Sequence, residues 1–172
     1  MKDISIRNAT RNDTKAVTEL LVKSHWFTYE RLYSKDYIKK LIKQYYNLQR
    51  IEQEIVSISK EWHGYFIAEM NGKIVGAIAG GMTNSNSGEI YVFYLDPEMR
   101  GMGIGTRLLD FATKIQKHSY GASEQWVSVA KGNDYGIPFY EVRGFIFQYE
   151  ELAYGTSVED QDISLKYKRY IK

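Results

Sequence analysis

The 172-residue sequence predicts an α/β domain whose central sheet mixes parallel and antiparallel strands. Three observations lead to this fold class. Residues 89–129 have the pattern strand, glycine loop, helix and strand, and the helix between the two strands makes them parallel. Residues 65–70 and 73–82 are strand-like runs joined by Asn71-Gly72, a pair typical of a tight antiparallel hairpin. Residues 145–154 and 162–170 predict a second antiparallel pair.

The N-terminal residues predict a short strand followed by a capped helix. Alternating apolar and polar residues over positions 4–7 indicate the strand. Thr10 and Asp13 have the spacing of a capping box, in which a hydroxyl and a later acid satisfy free N–H groups at a helix start. The helix is expected to end at about Ser24 and to bury Val17, Leu20 and Leu21.

Three more helices are predicted before residue 122. Ser34 is expected to cap the first, whose apolar stripe is Ile38, Leu41, Ile42 and Tyr45. The stripe shifts after Asn47, so we expect a break there, followed by a stripe of Leu48, Ile51, Ile55 and Ile58. The last helix is expected to begin near Thr106 and to stop at Gly121, before a strand at 125–129.

Composition excludes several classes of protein. The chain has no cysteine, which removes disulfides, thiolate zinc sites and acyl-cysteine intermediates. A net charge of +2 is too small to indicate nucleic-acid binding, and no apolar run approaches the roughly 18 residues of a membrane span. The three histidines lack ligand spacing, so no metal site is expected. We therefore expect a soluble cytoplasmic protein without nucleic-acid or membrane partners.

The most informative stretch is the loop after the predicted strand 89–95. It carries Gly101, Gly103 and Gly105. Without Cβ atoms, this backbone can approach an anion and turn its N–H groups toward it. A P-loop is disfavoured because no Lys-Ser or Lys-Thr pair follows the glycines. A dinucleotide fingerprint counted from Gly101 is disfavoured because its third glycine position holds Thr106.

Two motifs resemble the GNAT superfamily of N-acetyltransferases. The run Arg100-x-x-Gly103-x-Gly105 is similar to the family's acetyl-CoA pyrophosphate loop, Gln/Arg-x-x-Gly-x-Gly/Ala. About 30 residues later, a second segment resembles Asn-x-x-Ala-x-x-Phe-Tyr-x-x-x-Gly-Phe in Asn133, Phe139, Tyr140, Gly144 and Phe145. Gly136 departs from the usual alanine, and Pro138 predicts a helix that is kinked or starts late.

The resemblance implies one N-acetyltransferase domain over residues 1–172. Its fold would be a mostly antiparallel sheet, splayed between the fourth and fifth strands, with helices on both faces. Acetyl-CoA would be the cosubstrate, inserted in the opening, with no metal. Implied cofactor contacts are the strand residues Phe93 and Leu95, Asn133 at the opposite strand end, and a loop set of Arg100, Gly101, Met102, Gly103, Ile104, Gly105 and Thr106.

Acetyl transfer to an amine requires two proton transfers. An alkylammonium with a pKa near 10 must lose a proton before it attacks, and a thiolate with a pKa near 8.5 leaves more easily when protonated. By resemblance, Glu89 is the expected general base, acting through a water, and Tyr140 is the expected general acid. A solvated glutamate and a packing tyrosine are the alternatives to these two roles.

The acceptor is less constrained than the cofactor. By resemblance it would lie against the first helices, where Trp26 and Tyr29 are the expected substrate-binding residues. Residues 46–55 look similar to a helix of bacterial polyamine and diamine acetyltransferases, which makes a polyamine-like primary amine the first candidate. A protein N-terminus and a non-catalytic acetyl-CoA sensor are the alternatives. The sequence does not fix the oligomeric state, and a homodimer stays open.

Overall fold

The computed structural model describes residues 3–172, which form a seven-stranded sheet. The strands are β1 (Ile4–Asn8), β2 (Tyr65–Met70), β3 (Lys73–Met82), β4 (Ser87–Leu95), β5 (Glu124–Ala130), β6 (Ile146–Leu152) and β7 (Ile163–Tyr170). Their order across the sheet is β1-β2-β3-β4-β5-β7-β6. Neighbouring strands are antiparallel except β4 and β5. The predicted mixed sheet is confirmed.

Helices cover both faces of the sheet, as predicted. They are α1 (Thr14–Tyr29), α2 (Lys35–Tyr45), α3 (Leu48–Val56), α4 (Ile104–Lys114) and α5 (Gly136–Glu141). On one face, α1 and α3 bury a cluster of Val17, Leu20, Leu21, Ile51 and Ile55 with β2 and β3. On the other face, α4 buries Ile104, Leu108 and Leu109. Within residues 3–172, no helix has both the length and the apolarity to cross a membrane.

The predicted helix starts are confirmed. A capping box joins Thr10 and Asp13 in the turn before α1. Ser34 and Asn47 accept backbone N–H bonds in the first turns of α2 and α3. The stripe predicted after Asn47 is only partly correct, because Ile51 and Ile55 are buried whereas Leu48 and Ile58 are exposed. Leu48 begins α3 and Ile58 lies beyond its end, so neither belongs to the central turns that face α1.

The first helix is longer than predicted. α1 runs to Tyr29 instead of ending at Ser24. No glycine or proline interrupts residues 24–29, and tertiary contacts hold the extra turn. The Ser24 hydroxyl donates to the backbone oxygen of Leu95 at 2.7 Å, and His25 is buried. The extension brings the end of α1 to the carboxyl end of β4.

The strands β4 and β5 separate half-way along their length. Their parallel pairing covers four register positions and ends at Ile90 and Val127. Beyond this point β4 continues with β3 as its partner, and the register shift beside Tyr91 makes that residue the extra one of a β-bulge. Bulges bend and twist a strand. The predicted splay is therefore confirmed, and the β5-facing edge of β4 lacks a strand partner.

A buried polar network holds the closed end of this opening. Gln116 lies in a π-helical turn after α4 and donates to the backbone oxygen of Glu89 at 3.1 Å. Its Oε1 accepts a hydrogen bond from Gln125 of β5 at 2.9 Å. Gly88 leaves room for this amide, since a Cβ there would lie 2.4 Å from Gln116 Oε1. The network ties β4 to β5 where they still pair.

The glycine at position 81 leads to a stability prediction. A Cβ at Gly81 would lie 1.8 Å from the backbone oxygen of Glu61, and a backbone atom cannot move aside cheaply. We expect Gly81→Ala to lower the free energy of unfolding by about 3 kcal/mol or more, measured by urea denaturation. The control is Gly72→Ala at the hairpin turn. A Cβ at Gly72 meets open space but has a φ of +73°, so this change should cost only about 1–2 kcal/mol. Equal losses would contradict the steric argument.

The second motif forms a helix that starts late, as predicted. α5 begins at Gly136, so Pro138 falls in its first turn, where a backbone N–H has no acceptor within the helix. Asn133 Oδ1 accepts from the N–H groups of Tyr135 and Gly136 at 3.1 and 2.9 Å. A Cβ at Gly136 would lie 2.9 Å from Asn133 Nδ2. Alanine at this position would therefore require the Asn133 side chain to shift.

Candidate active site

A cleft occupies the opening between β4 and β5, with a volume of about 190 Å³. Its walls come from the separated strands, the end of α1, the loop before α4 and helix α5. Six of the predicted site residues meet there: Tyr29, Phe93, Leu95, Arg100, Asn133 and Tyr140. The sheet splay and the two motifs therefore converge on one place.

The side chain of Tyr140 lines this cleft. It lies on α5, with ring centroids 6.3 Å from Phe93 and 5.3 Å from Phe145. Burial raises the pKa of its phenol, so the group stays protonated at neutral pH. Within residues 3–172, no protein group hydrogen-bonds to the Tyr140 hydroxyl, and the residue lines the cleft. A protonated phenol therefore remains available to a ligand.

The loop before α4 leaves backbone N–H groups free. Gly101 and Gly103 have φ values of +75° and +76°, a left-handed conformation that residues with a Cβ rarely adopt. Gly103 caps α4, so the N–H groups of Ile104, Gly105 and Thr106 have no acceptor inside the helix. The Ile104 side chain is buried, which leaves only its backbone for a ligand. This helix terminus suits an anion.

Asp96 anchors the start of the same loop. Its carboxylate is buried and forms ion pairs with Lys23 at 3.0 Å and Lys73 at 3.3 Å. It also accepts from the backbone N–H of Glu98 at 3.1 Å. Burial acts to raise the pKa of Asp96, but the bonds from Lys23, Glu98 and Lys73 outweigh it, so the pKa is lowered. An ionised Asp96 thus ties the loop to α1 and β3.

Arg100 crosses the mouth of the cleft. Its guanidinium carbon lies 3.8 Å from the ring centroid of Tyr135 and 4.9 Å from that of Phe27. Burial lowers the pKa of Arg100 below its ordinary value. The guanidinium therefore packs between aromatic rings from two sides of the cleft, and these cation–π contacts stabilise its position. Met102, another predicted cofactor contact, is exposed in the same loop.

Each side of the opening carries polar groups that could bind a ligand: backbone groups on β4 and the Asn133 side chain beyond β5. On β4, Phe93 and Leu95 face β5 without pairing to it. The oxygen of Leu95 already accepts from Ser24, so one of its two lone pairs is used. Asn133 stands beyond the end of β5, and its Oδ1 caps α5. The side-chain amide N–H groups of Asn133 form no hydrogen bond within the described residues, and Asn133 lines the cleft.

Glu89, the predicted general base, lies on the paired part of β4 and is not a cleft-lining residue. Its carboxylate accepts a hydrogen bond from Lys166 of β7, and the two side chains are only 14% and 11% exposed. The same Lys166 Nζ lies 3.9 Å from Glu151. Burial and then the charge of Glu89 raise the pKa of Tyr91, which does line the cleft. The Glu89 carboxylate is therefore held by Lys166 outside the cleft lining.

A cluster of tyrosines leads from the cleft to a buried carboxylate. Tyr29 lines the cleft and stacks on Tyr33 with centroids 5.4 Å apart. The hydroxyls of Tyr33 and Tyr37 donate to the two carboxylate oxygens of Asp162 at 2.5 and 2.6 Å. We call Tyr29, Tyr33, Tyr37 and Asp162 the tyrosine–aspartate cluster. Trp26, predicted together with Tyr29, is half-buried on α1 and does not line the cleft.

The sequence did not single out several residues of the cleft. They include Tyr91, Tyr94, Ser128 and Tyr135. Tyr94 Oη lies 3.4 Å from Tyr29 Oη and 3.3 Å from His25 Nδ1. Burial lowers the pKa of His25 to about 4, so the imidazole is neutral at pH 7. The one available signal was the abundance of tyrosine, 15 in the chain, which does not indicate position.

A comparison with known protein families identifies the family of this chain. Residues 22–145, which include the cleft strands, the glycine loop and α5, match the model of the acetyltransferase (GNAT) family. The chain belongs to the GNAT family of acetyltransferases. The resemblance carried by the two motifs is thereby confirmed, and the enzyme class with it.

Named relatives of this GNAT chain include archaeal N-acetyltransferases. An uncharacterized N-acetyltransferase of Methanocaldococcus jannaschii is 30% identical over 157 residues, 84% of this chain and 62% of that protein, so the chain spans under two thirds of it. A spermidine N(1)-acetyltransferase of Thermoplasma acidophilum is 31% identical over 143 residues, 83% of this chain and 88% of that protein. The crystal structure of PaiA N-acetyltransferase from Thermoplasma acidophilum, in complex with coenzyme A, has a TM-score of 0.81 at 27% identity, covering 97% of this chain and 99% of that one.

Acetyl-CoA is the cosubstrate of this GNAT fold, and the cleft has the groups to hold it. The free edge of β4 and the N–H groups at the start of α4 match an amide-containing arm and a diphosphate. When bound, the coenzyme supplies an activated acetyl thioester. Among residues 3–172, no three His, Cys, Asp or Glu side chains are grouped as metal ligands.

Proposed function

We propose that the chain is a cytoplasmic single-domain enzyme that acetylates a primary amine of a small polycation, such as a diamine or polyamine. Transfer would be direct, within a ternary complex, since the chain has no cysteine to carry an acetyl group. The 31% identity to a spermidine N(1)-acetyltransferase supports this choice of acceptor.

The observation that carries the acceptor class is the tyrosine–aspartate cluster. Asp162 is 6% exposed, and its carboxylate bonds only to the neutral hydroxyls of Tyr33 and Tyr37. Within residues 3–172 it forms no ion pair, while the neighbouring Asp160 pairs with Lys40 at 3.6 Å. Buried carboxylates are usually paired with a cation. Tyrosine rings and a carboxylate without a cation suit the ammonium of a substrate.

The proposed chemistry assigns one proton transfer to Glu89, outside the cleft lining, and the other to Tyr140 inside the cleft. Glu89 would accept the proton of the attacking ammonium through a water, on the face of the sheet that carries Lys166. Tyr140 holds its proton on Oη inside the cleft and can release it to a departing thiolate. Backbone N–H groups on the free edge of β4, near Phe93 and Leu95, would stabilise the developing oxyanion.

Release of the CoA thiol on mixing protein, acetyl-CoA and an amine tests this function. The panel is spermidine, spermine, 1,4-diaminobutane, n-butylamine, free amino acids and a peptide with a free N-terminus. We expect kcat/KM for the diamine to exceed that for n-butylamine by at least about tenfold, a difference of about 1.4 kcal/mol. Turnover with the peptide alone would replace the proposal by protein N-terminal acetylation. No turnover with any amine, despite acetyl-CoA binding, would indicate a binding module.

A further inference from the structure

Arg143 is a half-buried cation that forms no ion pair among residues 3–172, and it contacts the first turn of α4 after the glycine loop. Its Nη1 donates to the backbone oxygen of Phe139 at 2.7 Å, and its Nη2 donates to the hydroxyl oxygen of Thr106. Its Nε is buried and has no hydrogen-bond partner among residues 3–172. The guanidinium carbon lies 3.7 Å from the Phe139 ring centroid. Hydrogen bonds therefore hold both Nη atoms of the guanidinium, and they fix the orientation of the group.

A second arginine, Arg169, lies against Arg143. Arg169 donates to the backbone oxygen of Arg143 at 3.0 Å, and its other hydrogen bonds go to Gln125 and Thr113. Burial lowers the pKa of Arg169; the charge of Asp110 opposes this shift, and the like charge of Arg143 adds to it. Neither arginine forms an ion pair within the described residues. Partly buried positive charges of this kind are costly unless an anion compensates them.

The hydrogen-bond direction at Thr106 differs from that of other helical threonines in the chain. Thr18, Thr28 and Thr113 each donate their hydroxyl proton to the carbonyl four residues earlier. Thr106 makes no such bond, and its oxygen instead accepts from Arg143. Because an arginine can only donate, the Thr106 proton stays free for another acceptor. Thr106 lies in the first turn of α4, beside the free backbone N–H groups.

We infer that Arg143 is a positioning residue for the diphosphate of the cosubstrate. It holds Thr106 Oγ1 as an acceptor, so that the threonine proton points to the phosphate site, and it adds a positive charge that has no ion-pair partner among the described residues. Phe139 packs between Arg143 and the start of α4. Its ring contacts the guanidinium, and a Cβ at Gly105 would lie 3.2 Å from it. The role concerns coenzyme binding and does not depend on which amine is acetylated.

Calorimetric titration of CoA, with pantetheine as the comparison ligand, tests this role. We expect Arg143→Met and Thr106→Val each to weaken CoA binding about tenfold, the size of one charge-assisted hydrogen bond. Pantetheine has no diphosphate, so its affinity should not change. The double variant should lose less than the product of the two single losses, because both changes break one unit.

Two conservative variants distinguish the hydrogen-bond geometry of Arg143 and Thr106 from the charge of Arg143 and from effects on folding. Thr106→Ser keeps the hydroxyl that is proposed to meet the diphosphate, so it should bind CoA within about twofold of the parent. Arg143→Lys keeps the charge but not the fork, so its CoA affinity should still fall. Unchanged CoA affinity in Arg143→Met, equal losses for CoA and pantetheine, or full recovery in Arg143→Lys would each overturn the inference. Should Arg143→Met fail to fold by its unfolding midpoint, Arg143→Lys and Thr106→Val decide the matter.

Discussion

Replacing Tyr140 by phenylalanine should lower kcat by about 100-fold or more, within the range that general acid catalysis contributes. The ring packing with Phe93 and Phe145 would remain, and only the hydroxyl that faces the cleft is removed. Acetyl-CoA affinity should stay within about twofold, because the change removes an interaction made in the transition state. Steady-state kinetics with saturating amine, together with CoA titration, measure both quantities.

The pH dependence gives this prediction a second readout. Burial raises the pKa of Tyr140 above its ordinary value near 10, so the acid form persists at neutral and moderately alkaline pH. The factor between parent and Tyr140→Phe should therefore be similar at pH 7 and pH 9. Tyr135→Phe is the matched control, since Tyr135 lines the same cleft and is exposed at its mouth. An equal loss of kcat in both variants would rule out a specific acid role.

The parts of the fold that the sequence predicts correctly depend on local chemistry. Asn71 and Gly72 have φ values of +52° and +73°, as a tight hairpin turn requires. Ser34 and Asn47 bond to backbone groups three residues later, and Gly121, with a φ of +74°, follows the last helical turn of α4 and its π extension. Each signal involves residues a few positions apart, so the pattern is visible without the fold.

The parts that the sequence does not predict depend on distant pairs. The ion pair of Glu89 and Lys166 joins residues 77 positions apart, and it follows only when β7 is known to lie beside β5. Asp162 meets Tyr33 and Tyr37 across 129 and 125 positions. The glycine loop indicated a diphosphate site, but nothing local placed Arg143 behind it. The motifs thus identified the family and its cosubstrate, while the polar partners around the cleft required the tertiary structure.

Asp162 provides the sharpest test of the acceptor class. We expect Asp162→Asn to lower kcat/KM for 1,4-diaminobutane by about 30-fold or more, because removing one partner of a buried charge pair costs about 2 kcal/mol or more. For n-butylamine, which has the same chain length and no second ammonium, kcat/KM should change little. The ratio of the two values, measured by thiol release, isolates recognition of the distal charge from any general effect on catalysis.

Glu159→Gln is the matched control, because it removes one negative charge from the same connection between β6 and β7 at a fully exposed side chain. It should leave the diamine preference intact. Tyr33 and Tyr37 hold the Asp162 carboxylate, so Tyr33→Phe and Tyr37→Phe should weaken diamine binding less than Asp162→Asn, which removes the charge itself. If the Asp162→Asn protein folds normally and loses activity equally toward both amines, the role of Asp162 is structural, as a hydrogen-bonded link between the region of α2 and the start of β7. The distal ammonium of the diamine would then have to bind elsewhere.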